Sequence, residues 1–171
     1  RRYVSDLQTK WGRIGMKLYH GSNVEIEQID LNRGRRGKDF GRGFYVNPEY
    51  LQAVEFCSNV VRRESCGVPT VTAFEFDETA LEVLKVKRFE GYSKEWAEFI
   101  LMNRNNTSED NVHPYDIVIG PIANDSVGTQ IRRLMRGFMT FDAFLEELKF
   151  SKVTIQYYFG TEDAIKYLTK L

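Results

Sequence analysis

Short runs with the period of a β-strand alternate along this chain with segments whose apolar residues recur every three or four positions. That interleaving is the strongest constraint on the fold, because each short strand must find its partners far away in sequence while the helices cover them. Strand-like runs fall at residues 16–20, 43–47, 71–76, 82–86, 116–119 and 153–159. A helix is predicted from Pro48, with Tyr50, Ala53, Val54, Cys57 and Val61 on its buried face, fading near Cys66 and Gly67. A second spans residues 93–104, where Trp96, Phe99 and Ile100 form an apolar stripe and Asn103 carries a polar group on the same side. Asn124 and Asp125 make a turn suited to capping the segment after it, and Phe141, Phe144, Leu145 and Leu148 mark a further helix. Thr161 reads as the cap of a last helix on which the chain ends, with Glu162 and Asp163 at its positive end and Lys166 and Lys170 at its negative end. Such a mixture suits an α+β class rather than a doubly wound sheet.

Within residues 153–159, alternation places Val153, Ile155, Tyr157 and Phe159 on a core face, so that Gln156 looks away from that core with Thr154 and Tyr158. The 171 residues, 42% hydrophobic and 13% aromatic, suffice for the core of one domain. The 24 basic and 24 acidic side chains cancel, which argues against a surface built for non-specific nucleic-acid binding. Cys57 and Cys66 have neither metal-ligand spacing nor a disulfide framework around them. No apolar run reaches the length of a membrane span, and residues 1–15 lack the apolar stretch of a secretory signal, so a reducing, cytoplasmic setting is expected. Those first residues read as an extension outside a domain of residues 16–171, with Tyr3, Val4, Leu7 and Trp11 at helical spacing.

Two clusters carry chemistry. In Leu18-Tyr19-His20-Gly21-Ser22 a histidine ends a strand and precedes a glycine whose bare backbone allows close approach. Alone, that pattern fits a ligand-gripping strand end or a partly buried structural histidine. In Asp39-Phe40-Gly41-Arg42-Gly43-Phe44-Tyr45 two glycines flank an arginine ahead of a tyrosine-bearing strand. This lacks the further glycine of a dinucleotide fingerprint, and taken alone it fits turn chemistry as well as a phosphate cradle.

Together the clusters resemble the ADP-ribosyltransferase superfamily, in which a His-Gly strand is followed by a Gly-x-Gly-x-Tyr strand and then a helix. The chain is most similar to a group of small, largely uncharacterised bacterial proteins of that kind. Their pattern is matched by Tyr19-His20-Gly21-Ser22, residues 39–45, Tyr115-Asp116-Ile117-Val118-Ile119-Gly120-Pro121 and a late Gln-x-x-Phe, over residues 16–171. The resemblance implies a split antiparallel sheet core with peripheral helices, NAD as substrate and no metal. It implies that His20 bonds the adenosine ribose, Gly21 holds the nicotinamide carboxamide through its backbone, and Tyr45 stacks on nicotinamide with Phe56 closing the other side. Stacking suits a cationic pyridinium, which gains roughly 0.5 to 2 kcal/mol from an aromatic face.

The superfamily's third position is usually a glutamate on a late strand, and here the matching strand offers Gln156. An amide holds a ribose hydroxyl but offsets no positive charge. The nearest carboxylates in sequence to the matching motifs are Asp39, Asp125 and Glu162; Asp125 is favoured, with Asn103 and Arg104 as neighbours, and its alternative is a helix cap. Arg33, Arg35, Arg36, Lys38 and Arg42 place five cations within ten residues, to bind a pyrophosphate or form a solvated loop, with Arg42 set nearest the cleft. Ser22 and Gly43 belong to the same ligand-binding set by their place beside His20 and Tyr45.

The function implied is cleavage of the nicotinamide-ribose bond of NAD, with ADP-ribose passed to an acceptor on protein, nucleic acid or a small molecule, or to water. An alternative of another class is a catalytically weak module binding NAD or ADP-ribose, and a third is an RNA-directed phosphate-transfer relative, for which this neutral chain lacks basic surface. Small bacterial relatives that act as toxins or defence proteins imply an inhibitory partner protein.

Overall fold

A computed structural model describes residues 15–171; the helical spacing of Tyr3, Val4, Leu7 and Trp11 lies outside the described residues. The elements run β1 (Met16–Ser22), β2 (Phe44–Val46), α1 (Tyr50–Glu64), β3 (Thr70–Phe76), α2 (Ala80–Val83), β4 (Val86–Arg88), α3 (Lys94–Arg104), β5 (Ile117–Pro121), α4 (Asp125–Met135), α5 (Phe141–Leu148), β6 (Ile155–Phe159), α6 (Glu162–Ile165) and β7 (Leu168–Lys170). A 3₁₀ turn (Leu31–Arg33) sits in the long connection between β1 and β2. The class is α+β.

The strands form two sheets, ordered β1-β3-β7 and β2-β6-β5-β4. All pairings are antiparallel except β4 with β5. One bridge joins the sheets where Tyr19 and Asn47 exchange main-chain hydrogen bonds of 2.7 and 2.8 Å. Leu18, Phe74 and Phe76 of the first sheet meet Val46, Ile117, Ile119 and Phe159 of the second in one core. A second core lies on the other face of the second sheet, where Val118 and Tyr158 pack under Trp96 and Ile100 of α3, Ile131 of α4 and Phe144 of α5. The layers are therefore sheet, sheet and helices, with α1 on β1 and β3.

This layering corrects the expected sidedness of the last long strand. Both its faces are buried, so alternation separates one core from another rather than core from water: Tyr157 and Phe159 enter the first core, Tyr158 the second. Val153 precedes the strand and is exposed. Gln156 shares the Tyr158 face and is buried.

Other departures have local causes. The buried face of α1 is Ala53, Cys57 and Val60, and Tyr50 is exposed, outside that face. Residues 82–86 do not form a strand. Asp77 accepts from Thr79 N at 3.0 Å, the turn continues into α2, and β4 starts only at Val86. Thr161 does cap a helix, accepting from Ala164 N at 3.2 Å, but α6 ends after one turn, because β3 offers a free edge that β7 takes. Asn124 caps α4 through Val127 N at 3.0 Å. Among the described residues no helix is long and apolar enough to cross a membrane.

Candidate functional site

The Tyr19–Asn47 bridge sets the end of β1 beside the end of β2, and β2 pairs with β6 so that Tyr45 lies opposite Tyr158 and Val46 opposite Tyr157. His20, Tyr45, Asn47 and Gln156, far apart in sequence, thereby reach one end of the two sheets. Two cavities open there, of about 350 and 520 Å³, within the usual size of small-molecule sites. His20, Ser22 and Gly43 line the first; Asp39, Asn47, Gln52, Arg104, Arg132 and Gln156 line the second. Gly21, Lys38, Tyr45 and Phe56 line both, as a shared waist.

His20 lies against Phe44, ring centroids 4.3 Å apart, and its Nδ1 is 2.7 Å from the Tyr45 carbonyl oxygen. A carbonyl only accepts, so the proton sits on Nδ1 and Nε2 is left as an acceptor. Burial lowers the imidazole pKa to about 4 against the raising effect of that bond, with the Lys38 charge adding to the lowering. The ring is neutral at pH 7.

Tyr45 is fixed by its hydroxyl, which donates to the Gly41 carbonyl at 2.6 Å and accepts from Phe40 N at 3.0 Å. Burial, reinforced by the Asp39 charge, holds the phenol well above its ordinary pKa. The hydroxyl is thus an anchor, and the ring face is what it offers to the cavities. Phe56, on α1, is the other aromatic wall of the waist. The Lys38 ammonium lies over both rings, 4.5 Å from the Tyr45 ring centroid and 5.7 Å from that of Phe56.

The Gly-Arg-Gly stretch is a clasp. Gly41 adopts φ 97°, and a side chain there would strike Asn111. Asn111 Oδ1 accepts from Arg42 N at 2.8 Å, while Asn111 Nδ2 and the Tyr158 hydroxyl donate to the Arg42 carbonyl at 3.0 and 2.9 Å. Gly43 leaves room for the Tyr158 ring. The Arg42 guanidinium turns away from both cavities, to Glu109 at 2.8 Å and the Asn32 carbonyl at 2.6 Å. Gly21 has a comparable packing duty, since a Cβ there would meet the Ala53 carbonyl of α1.

Asp39 reaches the second cavity already paired, with Arg104 Nε and a terminal nitrogen each 2.7 Å from its Oδ1. Asn103 is buried, donates to the Phe99 carbonyl at 2.8 Å and lines neither cavity; its Oδ1 has no partner. Asp125 is exposed at the first position of α4, and Glu162 is exposed in α6. Neither belongs to the cavity linings. Arg33, Arg35, Lys38 and Arg63 line the first cavity against two carboxylates, Asp30 and Glu64, which leaves it positively charged. Arg36 instead bonds the Thr107 carbonyl at 2.6 Å and pairs with Glu109.

Several lining residues escaped sequence reasoning, Asn47 and Arg132 among them. Asn47 carries a buried Oδ1 with no hydrogen-bond partner and lines the second cavity; its spacing of two from Tyr45 was the available signal. Arg132 gave none, since its place depends on how distant elements pack, and Lys38, read as one of five loop cations, gave no sign that it would stand against the rings of Tyr45 and Phe56. Among the described residues no group of three or more His, Cys, Asp or Glu is disposed to hold a metal ion, and both cysteines are free.

Residues 16–169 match a family described as Protein of unknown function (DUF3990). No curated protein and no solved structure matches the chain.

Proposed function

We propose that this chain, which belongs to the DUF3990 family, binds NAD across the two joined cavities and cleaves its nicotinamide-ribose bond, as an ADP-ribosyltransferase or NAD glycohydrolase. The observation that carries this reading is the waist itself: two aromatic walls, Tyr45 and Phe56, already hold a cation over both rings, with a neutral histidine on one side and a buried glutamine on the other. A nicotinamide ring is a flat cation and suits such walls.

Each group then has a part to play. His20 Nε2 accepts from a hydroxyl of the adenosine ribose. The guanidiniums of Arg33, Arg35 and Arg63 face the pyrophosphate. Gln156 and Asn47 offer amide groups to the nicotinamide ribose and carboxamide. On cleavage, the C1–N bond electron pair leaves with neutral nicotinamide, and the ribosyl cation is captured by an acceptor that gives up its proton. Holding the ring between fixed walls contributes by positioning.

A second reading, a module that binds NAD or ADP-ribose with little turnover, is favoured by one observation. Among the described residues the only carboxylate lining the second cavity, Asp39, is spent on Arg104, so nothing there is free to offset the developing cation. Titration calorimetry with NAD, followed by a count of released nicotinamide, separates the readings. No heat and no thermal shift with millimolar NAD or ADP-ribose would sink both; binding without nicotinamide release leaves the module.

A further inference from the structure

We propose that Lys38 is a built-in occupant of the aromatic waist: its ammonium fills the place that a pyridinium takes between Tyr45 and Phe56, and such a ligand enters by displacing it. The inference rests on the NAD reading for the identity of the natural ligand, but the slot and its occupant are features of the chain itself.

Both rings lie within the range over which a cation is attracted to an aromatic face, at 4.5 and 5.7 Å. Lys38 borders both cavities. Among the described residues it has no ion pair, because the nearby carboxylates are engaged elsewhere: Asp39 with Arg104, and Glu64 with Arg35 and Arg63. Aromatic faces are therefore its partners, while its surroundings are cationic.

Charges face it from every side. Among the described residues that line the two cavities, Arg63 stands on α1, Arg33 and Arg35 on the loop before β2, Arg104 on α3 and Arg132 on α4, with Asp30, Asp39 and Glu64 in opposition and His20 neutral. Burial, then Arg63, then Arg35 push the Lys38 pKa down to about 8 against the raising effect of Asp39. A cation held this way is easily given up. Its flexible four-carbon stem lets the ammonium swing out of the slot into water.

Lys38→Ala clears the slot, Lys38→Ser does so with a different small residue, and Lys38→Arg keeps a cation over the rings. Binding of 1-methylnicotinamide, NAD and ADP-ribose to the whole chain is measured by calorimetry, with thermal unfolding to confirm that each variant is folded. Lys38→Ala and Lys38→Ser should bind 1-methylnicotinamide and NAD roughly tenfold more tightly than wild type, and Lys38→Arg no more tightly. ADP-ribose, which has no pyridinium, should change less than about twofold by the same argument. Equal tightening toward ADP-ribose and NAD, or no gain for 1-methylnicotinamide in either cleared variant, overturns the proposal. A gain for 1-methylnicotinamide with no NAD binding by any variant upholds Lys38 as the occupant and removes NAD as the ligand. NAD binding by wild type with no gain in the cleared variants does the reverse.

Discussion

The imidazole of His20 and the main-chain carbonyl of Tyr45 are joined at 2.7 Å across two strands that belong to different sheets. That bond fixes the tautomer of one candidate ligand-binding residue through the backbone of another. The ring it holds is neutral, because burial makes a charge there costly.

Neutrality of this ring sets a pH dependence of folding. The folded-state pKa, about 4, lies below the ordinary value of 6.5, so the unfolded chain takes up a proton at His20 that the folded chain refuses. Stability is fully present above pH 6.5 and falls as pH drops toward 4, by up to roughly 3 kcal/mol. His113 is lowered too, by burial, and adds to the slope. Denaturant unfolding across this pH range should show a shallower loss for His20→Gln than for wild type; parallel curves would refute the buried neutral ring.

Tyr45 separates anchor from wall. Tyr45→Phe loses the bonds to Gly41 and Phe40, costing about 1 to 3 kcal/mol of stability, yet keeps the ring, so NAD affinity should fall little. Tyr45→Ala should weaken NAD about tenfold or more. Tyr50→Ala, at an exposed ring outside both cavities, should leave affinity unchanged, and a Tyr45→Ala variant behaving like it would dismiss the wall.

At Gln156 a carboxylate replaces an amide in the cavity that also holds Arg132. Gln156→Glu should raise nicotinamide release, since each 1.4 kcal/mol of stabilisation of the developing cation is about tenfold in rate. Gln156→Ala should lower it. Single-turnover assays at matched stability test this, and one common rate for all three proteins would show that Gln156 takes no part in bond cleavage.

Gly21→Ala tests how the first sheet carries α1. The added methyl meets the Ala53 carbonyl and Cys57 N, an overpacking that costs about 1 to 3 kcal/mol, or roughly 2–4 °C in Tm per kcal/mol. Because Phe56 rides on α1, NAD affinity should fall in step. Unchanged Tm in a scanning calorimeter would mean that helix and strand separate freely.

Much of the fold is written locally. Asn124 and Thr161 announce their caps through side-chain chemistry, and Trp96, Phe99 and Ile100 announce α3 through spacing. Leu81 to Leu84 do not, because a short apolar run fits a strand or a helical turn until a neighbour decides. The end of the chain is opaque for the same reason: nothing in Leu168-Thr169-Lys170 reveals that β3 has an open edge. At the candidate site, a strand end brings His20 into view and the family resemblance adds Tyr45 and Gln156, whereas the pairing of Asp39 with Arg104, 65 residues apart, depends on tertiary packing. Asp125 illustrates the limit of proximity in sequence, since it stands in solvent while its neighbours Ile122 and Ala123 line the cavity.

Tyr45 belongs to the second sheet, whereas Phe56 rides on a helix laid over the first, and among the described residues the two sheets share a single strand-to-strand bridge at Tyr19 and Asn47. The aperture between the rings is therefore a gap between two plates of the molecule, not a notch cut into one of them. Its width is set by how the two plates pack across their common core, where Leu18 and Phe76 of one meet Val46 and Phe159 of the other. A flat ring clamped there acts as a rivet across the seam, so tight binders should stiffen the described fold against thermal unfolding.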